Sequence, residues 1–395
     1  MMKQSKLKTL LLTSLAVAGA VLAPLTGSVS AQEATGEPLL LGVNLELTGA
    51  AAPYSVPAVE AFELYVEQVN AAGGVLGGRP LELLVLDNKT DTTEGVSLQT
   101  RLEDDAAVVA TLGPNASGVV NAAKPVIESS KKPTVLPATT GDGLTLNADG
   151  VAVANLFRTA YEDSYQGTAG AVYVHDKLDA KKTLLVVDNA LDYSQGLADA
   201  FVTQYESLGG TVVATEAYSS GDTDFTALAT TALAYEFDAI YMPGYYTETG
   251  LLVKAFRELG LTQPVVGADG YASDTFVELA GAENTYDVHY TTHYDASLEN
   301  ETSLAFGEAY AEKFGKAPDT FAALGYDAIS LLVDAIVRAD STDSEAISQA
   351  LAETVDFVGV TGTFAINEEH NPVKPAIMVT LENGAVVNAQ EVVVD

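Results

Sequence analysis

The chain has 395 residues, a formal net charge of −35, 33 Gly, no Cys and an apolar fraction of 48%. That length exceeds what one hydrophobic core usually supports, so two domains of globular α/β composition are expected. The acidity argues against nucleic-acid binding and against adhesion to an anionic membrane surface, and the lack of Cys excludes thiol catalysis, thiolate metal sites and disulfides.

The N-terminus has the form of an export signal. Lys3, Lys6 and Lys8 precede an apolar stretch at 10–23; Pro24 and Gly27 break any helix there, and Val29-Ser30-Ala31 offers small residues for cleavage. The stretch is short for a membrane span, so residues 1–31 are expected to be a cleaved signal peptide and the protein to be periplasmic. No Cys follows the apolar stretch, which excludes attachment of lipid to a processed N-terminal Cys.

A strand is predicted over 39–47, ending at Thr48-Gly49. A helix over 58–72 carries Val59, Phe62, Val66 and Val69 on one stripe, and Gly73-Gly74 stops it. Then come a strand over 81–86 closed by Asp87, a helix capped by Thr92 or Thr93 and running to 105, a strand over 108–112, a helix over 117–129 and a strand over 134–136. After a break near 157–159 the pattern restarts. Helices are expected over 164–175, 193–208, 225–235, 248–259 and 274–280, and strands over 183–187, 211–217, 239–242, 265–267 and 288–292. The last part reads as helices over 302–314, 321–338 and 344–354, then strands over 379–381 and 386–394 around the turn signal Asn383-Gly384. Two similar series of alternating strands and amphipathic helices predict two doubly wound parallel-sheet lobes.

No nucleophile elbow, phosphate-binding loop, zinc-protease helix or dinucleotide fingerprint is present, and nothing in the residues asks for an enzyme or a cofactor. His289 and His293 lie four apart in a β-like context, which separates them along one face and argues against a zinc pair. What the sequence does offer is polar residues at strand ends, the edge where open α/β sheets bind ligands. Ser117 opens a helix after Gly113-Pro114-Asn115-Ala116; its hydroxyl and the free N–H groups there suit a carboxylate, or Ser117 is simply the helix cap. Thr139 or Thr140 offers a hydroxyl at the same edge. Asp269, between Ala268 and Gly270, suits an ammonium or is a turn residue bonding its own backbone. Gly244-Tyr245-Tyr246 and Asp192-Tyr193 place tyrosines that wall a pocket or merely cover surface.

The run Asn70-Ala71-Ala72-Gly73-Gly74-Val75-Leu76-Gly77-Gly78-Arg79-Pro80-Leu81-Glu82-Leu83, with Leu86-Asp87 after it, resembles the opening helix–turn–strand of the Leu/Ile/Val-binding proteins. These are the substrate-binding subunits of branched-chain amino-acid ABC importers. The resemblance continues through Leu112-Gly113-Pro114, Thr134-Val135-Leu136-Pro137-Ala138, Phe157-Arg158-Thr159, Tyr193-Ser194-Gln195-Gly196, Gly244-Tyr245-Tyr246 and Gly325-Tyr326-Asp327-Ala328, nearly the whole mature chain. It implies a type I periplasmic binding protein whose lobes, 38–158 plus 293–374 and 159–292 plus 375–395, are joined by a three-stranded hinge. It further implies a non-enzymatic, monomeric protein that carries an amino acid, Leu, Ile or Val first, to permease subunits in the inner membrane. Polar amino acids, amides or urea, aromatic acids and a ligand-sensing role are the alternatives. By position, Ser117 corresponds to the serine that holds the α-carboxylate, Ala138 and Thr140 to a pair that contacts carboxylate and ammonium, and Asp269 to the acid that pairs with the ammonium. Tyr193 and Tyr245 correspond to two cleft tyrosines, and Tyr54 and Phe321 to positions around the ligand side chain. Asp269 departs from the Glu of the leucine binders by one methylene, and the loop at Asn115-Ala116-Ser117 lacks the family's Ser-rich run and nearby Cys.

Overall fold

A computed structural model describes residues 34–297, 300–392 and 394. The expected signal peptide lies outside the described residues.

The first half is built as β1 (Leu39–Leu45), α1 (Ala52–Ala71), β2 (Leu81–Asp87), α2 (Thr92–Asp104), β3 (Val108–Leu112), α3 (Ser117–Ser129), β4 (Thr134–Leu136) and β5 (Leu156–Arg158). These strands form one parallel sheet in the order β2-β1-β3-β4-β5. The winding direction reverses between β1 and β3, which opens a crevice beyond their carboxyl ends. Next come α4 (Asp163–Val172), continued by a π-helical turn at Tyr173–Lys177, then β6 (Lys182–Asp188), α5 (Asp192–Ser207), β7 (Thr211–Tyr218), α6 (Thr226–Ala232), β8 (Ala239–Tyr241), α7 (Tyr246–Glu258), β9 (Val265–Gly267), α8 (Asp274–Ala280) and β10 (Val288–Thr292). The C-terminal part adds α9 (Glu301–Phe314), α10 (Thr320–Ala339), α11 (Ser344–Ala352), β11 (Phe357–Gly359), β12 (Gly362–Ile366), β13 (Pro372–Val373), β14 (Ala376–Glu382) and β15 (Ala385–Val392). The second sheet runs β15-β14-β10-β9-β8-β6-β7, with β14 antiparallel to both its neighbours, β10 and β15, and its winding direction reverses between β6 and β8. Small β11-β12-β13 is antiparallel and stands apart.

Among the described residues the chain passes between the two main sheets three times: after β5, after β10 and between β13 and β14. Helices α9 and α10 return to pack on α1, beside the first sheet. Along α10, Leu324, Ala328, Leu331, Leu332 and Ala335 are fully buried, which explains its nearly continuous apolar sequence. Buried side chains meet in one apolar cluster that includes Tyr54, Ala116 and Ala138 from the first half, Phe321 from α10, and Tyr218, Tyr246, Tyr271 and Phe256 from the second series.

Three expectations change. Helix α1 begins at Ala52, six residues before the expected start at 58. Pro53 lies in the first turn, where N–H groups have no helical partner anyway, and Pro57 stands inside the helix, where it leaves one backbone hydrogen bond unmade. The expected break at 157–159 contains strand β5, whose three residues pair with Thr134, Val135 and Leu136. The sheet of β11, β12 and β13 was not expected, because strands this short carry no readable alternation.

Candidate functional site

The eight site residues singled out above line one narrow cavity between the two sheets, together with Asn115, Ala116 and Gly270. Each sits at a strand's carboxyl end or in the first turn of a helix. From the first half and the helices that return to it, Tyr54 comes from the first turn of α1, Ser117 from the start of α3, Ala138 and Thr140 from the loop after β4, and Phe321 from the first turn of α10. From the second half, Tyr193 comes from the first turn of α5, Tyr245 from the residue before α7, and Asp269 from the turn after β9.

One end of the cavity is rich in donors. Ser117 is 5% exposed and is the first residue of α3; the cap position is Ala116, so the reading of Ser117 as the cap does not hold. Its Oγ accepts from the Gly141 N–H at 3.2 Å, which leaves its own hydrogen free to donate. Ala138 gives its N–H to Asn115 Oδ1 at 3.1 Å, so the backbone group it retains is its carbonyl, an acceptor suited to an ammonium. Asn115 in turn donates to Ser55 Oγ at 3.0 Å. The Thr139 hydroxyl is committed to the Pro114 and Asn115 carbonyls at 2.8 and 2.9 Å, which leaves Thr140 as the threonine of this loop that lines the cavity. Gly113 lets the loop approach closely: at φ +91°, a Cβ there would lie 2.3 Å from the Asn44 carbonyl.

Under this loop lies Glu46, fully buried at the end of β1. Its carboxylate accepts from the N–H groups of Asn115 and Ala116 at 3.1 and 3.2 Å, from Ser55 Oγ at 3.0 Å and from Asn88 Nδ2 at 3.2 Å. Burial raises its pKa, and the hydrogen bonds it accepts offset only part of that rise. An acid inside the apolar run 39–47 is a signal that sequence reading passed over. Glu46→Gln puts an amide N–H against one of these donors and is expected to cost about 1–3 kcal/mol of stability, read from urea unfolding at constant m. A change under about 0.5 kcal/mol would show that the loop holds its shape without the carboxylate.

The other end is anionic. Asp269 is 3% exposed; Tyr193 Oη donates to its Oδ1 at 2.6 Å, and His293 Nε2 lies 2.9 Å from its Oδ2. The carboxylate therefore does not bond its own backbone, and the turn reading fails. Tyr193 Oη also accepts from the Gly270 N–H at 2.9 Å. A Cβ at Gly270 would meet the Gly244 carbonyl at 2.5 Å, so the chain needs glycine here to bring Asp269 against the cavity.

Between the two ends the walls are aromatic. The Tyr54 ring lies 4.7 Å from Phe321 and 5.2 Å from Tyr245, which lies 5.2 Å from Tyr193. Tyr54 Oη reaches across to the Gly270 carbonyl at 2.9 Å and accepts from the Tyr246 N–H at 3.3 Å. Burial pushes the phenols of Tyr54 and Tyr193 well above their ordinary range, and Asp269 adds to this, so both remain donors. His293, Asn115 and Gly270 were not singled out as site residues; His293 was weighed only as a metal ligand. Among the described residues no group of three or more His, Asp or Glu could hold a metal.

The periplasmic binding protein family model matches residues 38–385. A Leu/Ile/Val-binding protein of Rhizobium johnstonii is 29% identical over 331 residues, 84% of this chain and 88% of that protein. Two solved structures carry closer sequence identity. The branched-chain amino-acid transporter substrate-binding protein LivJ of Streptococcus pneumoniae, in complex with isoleucine, is 38% identical with a TM-score of 0.85, covering 90% of this chain and 99% of that one. The leucine-binding protein LivK of Thermotoga maritima is 33% identical with a TM-score of 0.83, covering 89% and 97%. With a model match across nearly all the described residues and two sheets meeting at one cleft, the chain belongs to the periplasmic binding protein family.

Proposed function

We propose that the protein captures a branched-chain amino acid, Leu, Ile or Val, in the inter-sheet cavity and delivers it to an ABC importer. The observation that carries this is the polarity of the cavity: a hydroxyl and a helix N-terminus at one end, the Asp269 carboxylate at the other, and aromatic walls between. A zwitterion spans such a site with its carboxylate toward Ser117 and Thr140 and its ammonium toward Asp269 and the Ala138 carbonyl. Its side chain then meets Tyr54 and Phe321. The likeness to LivJ with isoleucine, at 38% identity, supports the same class of ligand. The three crossings, taken at 158, 293 and 374, serve as the hinge between lobes 38–158 plus 293–374 and 159–292 plus 375–395. Ligand binding favours closure because it contacts both lobes at once. Such delivery takes place outside the cytoplasm, in keeping with the signal-like residues 1–31.

The test is thermal unfolding of the mature protein against the twenty amino acids, urea, short amides and aromatic acids. Leu, Ile or Val at a hundredfold excess over Kd is expected to stabilise the fold by about 2.7 kcal/mol. A rise confined to amides or aromatic acids would retain the transport role and overturn the assignment of the two polar ends.

A further inference from the structure

We propose that His293 is a positioning residue for the ligand's ammonium group, holding the Asp269 carboxylate in place as a neutral donor and leaving its charge for the ligand. This rests on the function proposed above.

His293 follows β10 at the second crossing and is 1% exposed. Its Nε2 lies 2.9 Å from Asp269 Oδ2, its ring lies 3.9 Å from Tyr161 at an angle of 32°, and its backbone N–H donates to Thr320 Oγ1 at 3.2 Å. With Tyr193 on Oδ1, both oxygens of Asp269 are pinned. A carboxylate on so short a side chain is thereby fixed in one rotamer, with its remaining lone pairs available to the cavity.

The tautomer follows from the partners. Beside a carboxylate, Nε2 must carry the hydrogen. Nδ1 has no hydrogen-bond partner among the described residues. A second hydrogen there would be a buried donor without an acceptor, so the neutral ring is the satisfied form. The surrounding charges agree. Arg158 on the first crossing and Lys374 on the third favour the neutral ring, and Asp269 opposes them; Asp163 on α4 adds a further buried carboxyl near Asp269. The Tyr161 and Tyr294 phenols, Asp295 and Glu391 are further titratable groups on this side. Burial outweighs Asp269 and holds the imidazole below its ordinary pKa. Below that pKa the ring gains a charge, pairs internally with Asp269 and cancels the anion that the ammonium needs. Ligand binding on the acid side therefore expels a proton, and affinity falls as pH falls.

The test compares leucine binding by the wild-type protein, His293→Gln and His293→Leu from about pH 8 to about pH 5. His293→Leu is expected to weaken binding roughly tenfold or more at neutral pH, through loss of a hydrogen bond to a charged group. His293→Gln, which keeps a donor but cannot titrate, is expected to stay within about threefold of wild type at neutral pH and to lose most of the acid-side weakening. Wild-type affinity in His293→Leu, or His293→Gln as weak as His293→Leu, overturns the positioning role. An unchanged pH profile in His293→Gln overturns the proton link. If the Leu variant does not fold, the imidazole ¹⁵N spectrum of the wild type decides. A protonated Nε2 with a bare Nδ1 at neutral pH supports the assignment, and the opposite tautomer or an imidazolium removes it. A wild type that binds no leucine, isoleucine or valine instead removes the function on which the inference rests.

Discussion

Arg158→Met is expected to destabilise the protein by about 3–5 kcal/mol, the range for removing one partner of a buried charged network. Arg158 is completely buried at the end of β5. Its Nε donates to Asn371 Oδ1 at 2.6 Å, and its Nη1 to the carbonyls of Gly141 and Thr139 at 2.8 and 3.4 Å. Its Nη2 pairs with Glu162. One guanidinium thus ties the first crossing to Asn371, just before the third, and to the loop that carries Thr140. Methionine fills much of the volume but takes the donor from the Gly141 and Thr139 carbonyls, at about 1–3 kcal/mol for each that water cannot reach, and leaves Asn371 Oδ1 with only Thr145 Oγ1 at 3.3 Å. Glu162 is 22% exposed and regains water, so its share of the loss is the smaller. Urea unfolding of the unliganded protein measures the effect, with m unchanged if the native state keeps its compactness. A loss below about 1 kcal/mol would show that the three crossings hold together without this knot. Ligand affinity is expected to fall with stability, because Gly141 also gives its N–H to Ser117.

Much of this architecture is legible in the sequence, and the reason is local. Apolar strands such as 81–86 and 108–112 alternate with helices whose stripes and Gly stops need no tertiary knowledge. Strand-end loops announce where a ligand site of this fold must lie. The site's roles are less legible, because they depend on partners far along the chain. Tyr54 bonds Gly270, 216 residues away, and Asp269 bonds Tyr193 and His293, 76 and 24 residues away. From the residues alone Ser117 remained cap or ligand donor, and only its place one residue inside α3 decides that it is no cap. Glu46 was readable in principle as an acid in an apolar strand. His293 was noticed for the wrong reason: its spacing from His289 suggested a metal, whereas the two rings serve different partners, Asp269 for one and Tyr173, Thr380 and Asp287 for the other.

Asp269→Asn separates binding from folding most sharply. The amide keeps the shape of the carboxylate and removes the charge that the ammonium requires. Truncating one member of a buried, hydrogen-bonded charge pair costs about 2–5 kcal/mol of binding, roughly 30-fold to several-thousandfold in Kd. The unliganded protein is expected to melt within a few degrees of the wild-type temperature. Burial raises the pKa of Asp163 and the Asp269 carboxylate adds to it, so removing that carboxylate relieves a repulsion, while the new amide N–H must face either the Tyr193 hydroxyl or the His293 Nε2 and offsets the gain. Leu, Ile and Val are then expected to leave the melting temperature of Asp269→Asn nearly unmoved at concentrations that saturate the wild type. Retained affinity would place the ammonium elsewhere, and Asp163 is the group to examine, since it is buried near enough to Asp269 to feel its charge and its Oδ1 has no hydrogen-bond partner among the described residues. Lost affinity together with a much lower melting temperature would instead assign Asp269 to the fold, through Tyr193 and His293. A binding site selected for its ligand accepts such an unrelieved charge in the empty protein, because the ligand's ammonium supplies the missing counter-ion and converts that cost into the difference between open and closed.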